Sequence, residues 1–180
     1  WNSNIIYYNY ATSNRMCNYG ADWRFCLCKP PTKPKLSVTI TSSTFDGSGS
    51  KSTSHAGFIF VDNVDVVITD STIKNFVSDQ DGGVVYMQGK ATWTSTRSIY
   101  DSNTAQYKGG VAHLYGGSGN NNWIGLNDIY KNNKVWSTST GSHGGAFYAN
   151  ARLENTRLTF TASTFLSNSA NNNGGAVYAR

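Results

Sequence analysis

The chain has 180 residues, enough for one substantial domain, and only 14% of them are charged. Fifteen basic and ten acidic residues give a net charge of +5, but the basic residues are scattered and form no nucleic-acid footprint. The longest apolar runs are too short to cross a bilayer. The composition therefore predicts neither a nucleic-acid partner nor membrane insertion, and its many Ser, Thr, Asn and Gly residues favour strands and tight turns.

Residues 1 to 35 do not share the pattern of the rest, and we predict that they form an N-terminal cap and connector. A cap is expected because the first coil of a repeat otherwise presents unpaired strand edges. The segment holds all three cysteines, Cys17, Cys26 and Cys28. We expect a disulfide from Cys17 to Cys26 or Cys28 in an oxidising compartment. The third thiol is then free, paired with another chain or, least favoured, bound to a metal.

From residue 36 onwards one unit recurs five times. Each copy contains an aromatic or Ile anchor, spaced by 27 to 35 residues, at Phe45, Ile73, Tyr100, Tyr130 and Phe165. A pair of small residues follows each anchor after a polar loop, at Ala56-Gly57, Gly82-Gly83, Gly109-Gly110, Gly144-Gly145 and Gly174-Gly175. Such a recurrence indicates a solenoid, in which each copy buries its apolar face by stacking on its neighbours.

A unit of about 29 residues accommodates three short strands and three turns, which make one coil of a parallel β-helix. We therefore predict an all-β, pectin-lyase-like solenoid for residues 36 to 180. Its coils would span 36–63, 64–90, 91–119, 120–152 and 153–180, stacked about 4.8 Å apart. Crossovers between parallel strands are overwhelmingly right-handed, so we assign that hand.

When the coils are aligned, equivalent positions form columns along the stack. Three positions after the anchor, Asn103, Asn133 and Asn168 predict a ladder of side-chain amides, which Phe76 interrupts. One position after the anchor, acidic and basic residues alternate along the stack at Asp46, Lys74, Asp101 and Lys131. Both columns are predicted to be structural, and the charge ladder is expected to set register.

A third column, just before the small pairs, contains residue types that can act in acid–base catalysis. It contains His55, Asp81, Lys108, His143 and Asn173. Asp81, between His55 and Lys108, is the best acid–base candidate in the chain. We nevertheless interpret these positions as solvated turn residues and predict no catalytic residue, no cofactor and no metal.

After the small pairs, two columns alternate along a strand. The apolar one, predicted to face the core, contains Ile59, Val85, Ala112, Phe147 and Val177. The other, predicted to face outward, contains Phe60, Tyr86, His113, Tyr148 and Tyr178, and the preceding residues Phe58, Val84, Val111, Ala146 and Ala176 share its face. An exposed aromatic stripe would suit a glycan or a protein partner, as would Trp136 in the long loop of the fourth coil. The opposite assignment, with the tyrosines inside, stays open.

The motifs FxxN and GGA plus an aliphatic residue stand at Phe165-Leu-Ser-Asn168 and Gly174-Gly-Ala-Val177. They resemble the repeat of the chlamydial polymorphic outer membrane proteins, which also occurs in surface proteins of other bacteria and of protists. The resemblance covers residues 36 to 180, is close in the last coil and weak in the first two. It implies an extracellular or cell-surface β-helix of structural or adhesive use, without a family active site.

We therefore expect a secreted or cell-surface structural protein that assembles head to tail into a fibre, because the repeat runs to Arg180 without a capping segment. The alternative is an adhesin or glycan-binding module, with carbohydrate as the partner. A polysaccharide lyase or hydrolase is less favoured, since the ten acidic residues form no convincing cluster.

Overall fold

The computed structural model of the chain describes residues 26–27, 35–117, 119–151 and 156–180. These residues form 20 strands and no helix. The strands pair in parallel between successive coils, so that five coils stack along one axis. The predicted all-β parallel β-helix is therefore confirmed, while its right hand stays a prediction. Within residues 1 to 35, only β1 and Lys35 are described, so the predicted cap otherwise lies outside the described residues.

The strands follow one another in a regular order. Strand β1 (Cys26–Leu27) precedes coil 1, which contains β2 (Leu36–Thr41), β3 (Thr44–Asp46) and β4 (Ile59–Asp62). Coil 2 contains β5 (Val64–Thr69), β6 (Thr72–Lys74), β7 (Val77–Ser78) and β8 (Val85–Gln88). Coil 3 contains β9 (Thr92–Thr96), β10 (Ile99–Asp101), β11 (Thr104–Ala105) and β12 (Ala112–Tyr115).

The last two coils repeat this order. Coil 4 contains β13 (Asn122–Leu126), β14 (Ile129–Lys131), β15 (Lys134–Val135) and β16 (Phe147–Asn150). Coil 5 contains β17 (Arg157–Thr161), β18 (Thr164–Leu166), β19 (Ser169–Ala170) and β20 (Val177–Ala179). Coils 2 to 5 therefore have four strands each. The expected three strands miss the two-residue strand that follows the position of the asparagine ladder, which is too short to leave a pattern in the sequence.

Equivalent strands of successive coils make up four parallel sheets. Sheet 1 has the order β1-β4-β8-β12-β16-β20, sheet 2 β2-β5-β9-β13-β17, sheet 3 β3-β6-β10-β14-β18 and sheet 4 β7-β11-β15-β19. In sheet 3 the five anchors lie in one register, Phe45, Ile73, Tyr100, Tyr130 and Phe165. All five belong to the hydrophobic core or pack against it.

The chain turns between sheets 2 and 3 at a residue with positive φ, such as Asp70 (φ 51°) or Asn127 (φ 54°). The next residue carries a short polar side chain that accepts a hydrogen bond from the backbone N–H of the previous coil. Ser98 N–H, for example, donates to Asp128 Oδ1 at 2.8 Å, and Ser71 N–H donates to Ser98 Oγ at 3.2 Å. These bonds form a serine ladder, whose members are Ser43, Ser71, Ser98, Asp128 and Ser163.

Stacked aromatic rings fill the centre of coils 3 and 4. The rings of Trp93 and Trp123 stack at 5.1 Å, and so do those of Tyr100 and Tyr130. Each indole N–H donates to the hydroxyl of the tyrosine seven residues later, at 3.0 Å. The hydroxyl of Tyr130 donates in turn to Asp128 Oδ2 at 2.8 Å. The buried polar tips therefore have partners, which removes the usual cost of placing them in a core.

The strand of sheet 1 does not alternate along its whole length. The N–H groups of Val84 and Val85 both donate to Val111 O, and those of Val111 and Ala112 both donate to Ala146 O. Two consecutive residues thus share one acceptor, as at a β-bulge, and both face the core. The prediction that Phe58, Val84, Val111, Ala146 and Ala176 lie on the outer face is therefore wrong for the first four of them. Val84, Val111 and Ala146 are fully buried core residues, and Phe58 packs against the core.

The two glycines of each pair have different roles. The first has a positive φ, 64° at Gly109 and 68° at Gly144, and the equivalent in coil 1 is Ala56 at 61°. The second lies directly under the next coil, since a Cβ added to Gly110 would come within 2.2 Å of Gly145 O. In coil 5 the same atom on Gly175 would meet nothing closer than Asn168 O at 3.6 Å. The second glycine is therefore required only where another coil lies above it.

This difference predicts that the same substitution has unequal effects at the two positions. Gly110→Ala should reduce the free energy of unfolding by about 3 kcal/mol, because the stacked backbones must separate to admit the methyl group. Gly175→Ala should change it by less than about 1 kcal/mol. Urea unfolding of both variants measures the two values, and equal losses would contradict this account of the glycine pairs.

Candidate functional site

The polar column before the glycine pairs runs along the edge of sheet 1. Its members in coils 2 to 5, Asp81, Lys108, His143 and Asn173, are joined in order by parallel backbone bridges. Each is followed by a left-handed glycine, which turns the chain into the sheet and fixes the side chain beside it. The column therefore lies next to the outer face of sheet 1.

Asp81 is the centre of this column. Its Oδ2 atom lies 3.1 Å from Nδ1 of His113 and 3.7 Å from both His55 Nδ1 and Lys108 Nζ. The side chains that the sequence suggested as an acid–base group are thus brought together, with His113 as an addition. The interpretation of the column as solvated is wrong for two members, since Asp81 is only 6% and His143 only 8% exposed.

Burial and charge act in opposite directions on this cluster. Burial disfavours the ionised form of Asp81, but the contact with His113 and the charges of Lys108 and His55 prevail, so the pKa of Asp81 lies below its usual value. Burial also lowers the pKa of His113, with Lys108 and Arg180 adding to the effect and Asp81 opposing it. At neutral pH the pair is therefore an ionised carboxylate beside a neutral imidazole.

The aromatic column of sheet 1 turns away from the core, as predicted, but is not exposed. Tyr86, His113 and Tyr148 are 8%, 3% and 1% exposed, so the expected open stripe is wrong for these three. The polar column covers them: the ring of His55 lies 4.5 Å from that of Tyr86, and Lys108 Nζ lies 5.4 Å from the Tyr148 ring centroid. Tyr178 is half-buried, and its ring centroid lies 4.5 Å from that of His143.

This arrangement gives little support to catalysis. Asp81 and His113 lie within ion-pair distance, but neither ring nitrogen of His113 makes a hydrogen bond with a described residue, and burial of the pair leaves a dissolved polysaccharide without access. Other carboxylates are dispersed and matched to cations: Asp46 with Lys74, Asp70 with Arg97, Asp79 with Lys51 and Asp101 with Lys131. Within the described part of the chain, no group of three or more His, Cys, Asp or Glu residues could hold a metal ion.

The asparagine ladder is continuous through coils 3 to 5. Asn103 Nδ2 donates to Asn133 Oδ1 at 3.1 Å, and Asn133 Nδ2 donates to Asn168 Oδ1 at 3.0 Å. The same oxygens accept the backbone N–H of the coil below, at 3.0 Å in both cases. Phe76 also uses the ladder, because its N–H donates to Asn103 Oδ1 at 3.1 Å. These residues hold coils together and do not face a cavity.

The remaining predicted residues are dispersed. Trp136 is 40% exposed and lies on the loop after β15, where Asn171 Nδ2 donates to its carbonyl oxygen at 3.1 Å. Cys17 and Cys28 lie outside the described residues, and Cys26 is described only as part of β1, so the disulfide stays a prediction.

Sequence reasoning missed three features of the structure. The first is His113 as a partner of Asp81, because the two residues belong to different columns. The second is the serine ladder, although a Ser or Asp two residues before every anchor is a readable signal. The third is the buried pairing of Trp with Tyr, for which the shared spacing from Trp93 to Tyr100 and from Trp123 to Tyr130 is the signal.

The buried imidazole predicts a loss of stability in acid. Because the pKa of folded His113 lies below the ordinary 6.5, the unfolded chain takes up the proton first, and stability falls as the pH drops below about 6.5. Each unit of depression corresponds to about 1.4 kcal/mol. His113→Tyr, which copies the residue of the neighbouring coils, should reduce the fall in melting temperature between pH 7 and 5, and the remaining fall belongs to His143, whose pKa burial also lowers.

The surface variant Asp70→Asn is the matched control, since its carboxylate is ionised throughout that range and it should keep the wild-type slope. A wild-type slope in His113→Tyr would show that another group is responsible.

No described helix is long and apolar enough to span a membrane. A family model described as "Chlamydia polymorphic membrane protein (Chlamydia_PMP) repeat" matches residues 162–180, which contain β18 to β20, Asn168 and the last glycine pair. No curated protein and no solved structure gives a significant match. The second half of coil 5 is thus similar to the repeat of the polymorphic membrane proteins.

Proposed function

We propose that the chain is a structural β-solenoid module of a cell-surface or secreted protein, and that its coils stack end to end with those of a second copy. The family match supports a surface location, because the matched repeat belongs to a family of membrane proteins. The observation that carries the proposal is the construction of the coil boundaries. Each coil presents apolar side chains in the same register and the serine ladder to the next coil, and coils 3 to 5 add the asparagine ladder.

Coil 5 presents this surface in open form. Its inward residues Leu158, Phe160 and Phe165 are only half-buried, whereas Trp123 and Tyr130, their counterparts in coil 4, are fully buried. Val177 in sheet 1 is 37% exposed, although Phe147 below it is buried. A further coil would cover these side chains, and each apolar side chain that it buries contributes about 1.5–3 kcal/mol.

Coil 1 offers a matching surface at the other end in sheets 2 and 3, whereas in sheet 1 its edge is paired with β1. Sheets 2 and 3 end in β2 and β3, and their opposite edges are β17 and β18. Leu36, Val38 and Ile40 of β2 are half-buried and belong to the rim of the core. Strands β2 and β17 point the same way along the sheet, so coil 1 of one copy suits parallel pairing with coil 5 of another. Such a contact does not close on itself and therefore propagates into a filament.

Gly175 allows assembly to be blocked without damage to the fold. Gly175→Val places a side chain where the second glycines of coils 2 to 4 touch the coil above, while nothing in its own coil lies closer than 3.6 Å. We expect the unaltered chain to form rods that lengthen with concentration, and Gly175→Val to stay monomeric with the same melting temperature. Light scattering and negative-stain microscopy measure assembly, and thermal unfolding followed by circular dichroism gives the melting temperature.

The matched control is Gly141→Val, because Gly141 lies in a loop with open space around it, and this variant should assemble normally. Monomers of the unaltered chain at high concentration, or normal rods of Gly175→Val, would overturn the proposed stacking.

A glycan-binding role is the second candidate, and Trp136 favours it. Its indole is exposed while Asn171 holds the loop backbone through bonds to Trp136 O and Ser137 O, both at 3.1 Å. A fixed and exposed ring suits stacking on a sugar, since little conformational entropy is lost on binding.

Binding to a panel of insoluble polysaccharides tests this role. Trp136→Ala should weaken it about tenfold, which corresponds to the loss of about 1.4 kcal/mol, while Tyr115→Ala, which removes another exposed ring, should not. Equal effects of the two variants, or no binding by the unaltered chain, would exclude the role of Trp136.

A further inference from the structure

The outer face of sheet 2 carries two adjacent columns without a charged residue. Two columns of outward residues run through all five coils, in the register Thr39–Val67–Thr94–Ile124–Thr159 and Thr41–Thr69–Thr96–Leu126–Thr161. Seven of these ten positions are Thr, three are aliphatic, and none is charged or aromatic. We call these two columns the threonine face.

The threonine face is open to solvent. Residues next to its members along each strand, such as Ile40, Ile68 and Trp93, point into the core, so the face members point outward. Its members are exposed in coils 1, 4 and 5 and half-buried in coils 2 and 3. In the described part of the chain, none of the seven hydroxyls takes part in an intramolecular hydrogen bond. They are therefore available to bonds with water.

Strand propensity alone does not account for this composition. Thr is common in strands, so a neutral explanation would place it on every outer face. Sheet 3 has one such outer column, Thr44–Thr72–Ile99–Ile129–Thr164, but its second outer column alternates charges through Asp46, Lys74, Asp101 and Lys131. Charges also stand at both margins of the threonine face, where Lys35 pairs with Asp65 and Arg97 with Asp70.

The geometry of the threonine face is that of a two-dimensional lattice. Coils repeat about every 4.8 Å, and alternate residues of one strand lie about 6.6 Å apart. The χ1 angle of a β-branched side chain is restricted, so hydroxyl and methyl groups repeat with the backbone. The glycine contacts and the two polar ladders hold this spacing from coil to coil. A flexible ligand would gain nothing from such regularity, whereas a crystalline one would.

The residue types of the threonine face decide which kind of crystalline ligand it could bind. Crystalline polysaccharides are bound by aromatic rings, and minerals by rows of charge, and the face has neither. Hydroxyls that alternate with methyl groups can hold a layer of water by hydrogen bonds and by apolar confinement. We propose that the threonine face binds ice through the layer of water that its repeating hydroxyl and methyl groups hold.

The test is the growth of a single ice crystal in a solution of the protein, with melting and growth temperatures measured in a nanolitre osmometer. The unaltered chain should give faceted crystals and a gap between the two temperatures. Thr94→Lys, at the centre of the face, should lose most of that gap, because a hydrated ammonium interrupts the lattice. Thr104→Lys, on the half-exposed outer side of sheet 4, should keep it.

Circular dichroism and the melting temperature establish whether both lysine variants are folded. Rounded crystals and no gap with the unaltered chain would overturn the proposal, and so would a full gap with folded Thr94→Lys. The Gly175→Val variant separates ice binding from assembly: a faceted crystal with this monomer supports the threonine face as the site. A gap that disappears in Gly175→Val but persists in Thr94→Lys would assign the activity to another surface and overturn the proposal.

Discussion

The contact between backbones of successive coils is the constraint on which the rest of the structure depends. Where the second glycines stack, a Cβ on Gly83 would lie 1.9 Å from Gly110 O, so no side chain fits between coils. Parallel strand pairing then continues through four sheets at one spacing. The asparagine and serine ladders follow from that spacing, because a short polar side chain reaches the N–H of the coil below only at this distance.

The same constraint decides what the outer surfaces can do. Equivalent residues lie in register, so a residue type that is favoured at one position of the repeat forms a column along the rod. On sheet 1 the columns are aromatic and polar, and they cover each other until Asp81 and His113 are shielded from water. On sheet 2 the column members are small and uncharged, and the surface stays open. One architecture thus produces a closed polar stack and an exposed lattice on neighbouring faces.

Sequence reasoning recovered the repeat, the five anchors and the asparagine ladder, because each is a local signal that recurs in register. It failed where period-two alternation is interrupted. Val84 and Val85 share one acceptor, so two consecutive residues point inward, and the residue types alone do not predict this irregularity. Burial of the tyrosine column was equally hidden, since it depends on how His55 and Lys108 fold over rings of other coils. Packing between side chains of different coils produces no periodic pattern in the sequence.

The alternating charge column has a period of two coils, and this period bears on how such a chain can grow. Asp46 bridges Lys74 at 3.1 Å and Asp101 bridges Lys131 at 3.2 Å, so the electrostatic unit is a pair of coils. Loss of coil 3 alone would put Lys74 beside Lys131, two like charges in direct register. Loss of coils 2 and 3 together would put Asp46 beside Lys131 and preserve the alternation. Duplication or deletion in the gene is therefore tolerated best in steps of two coils.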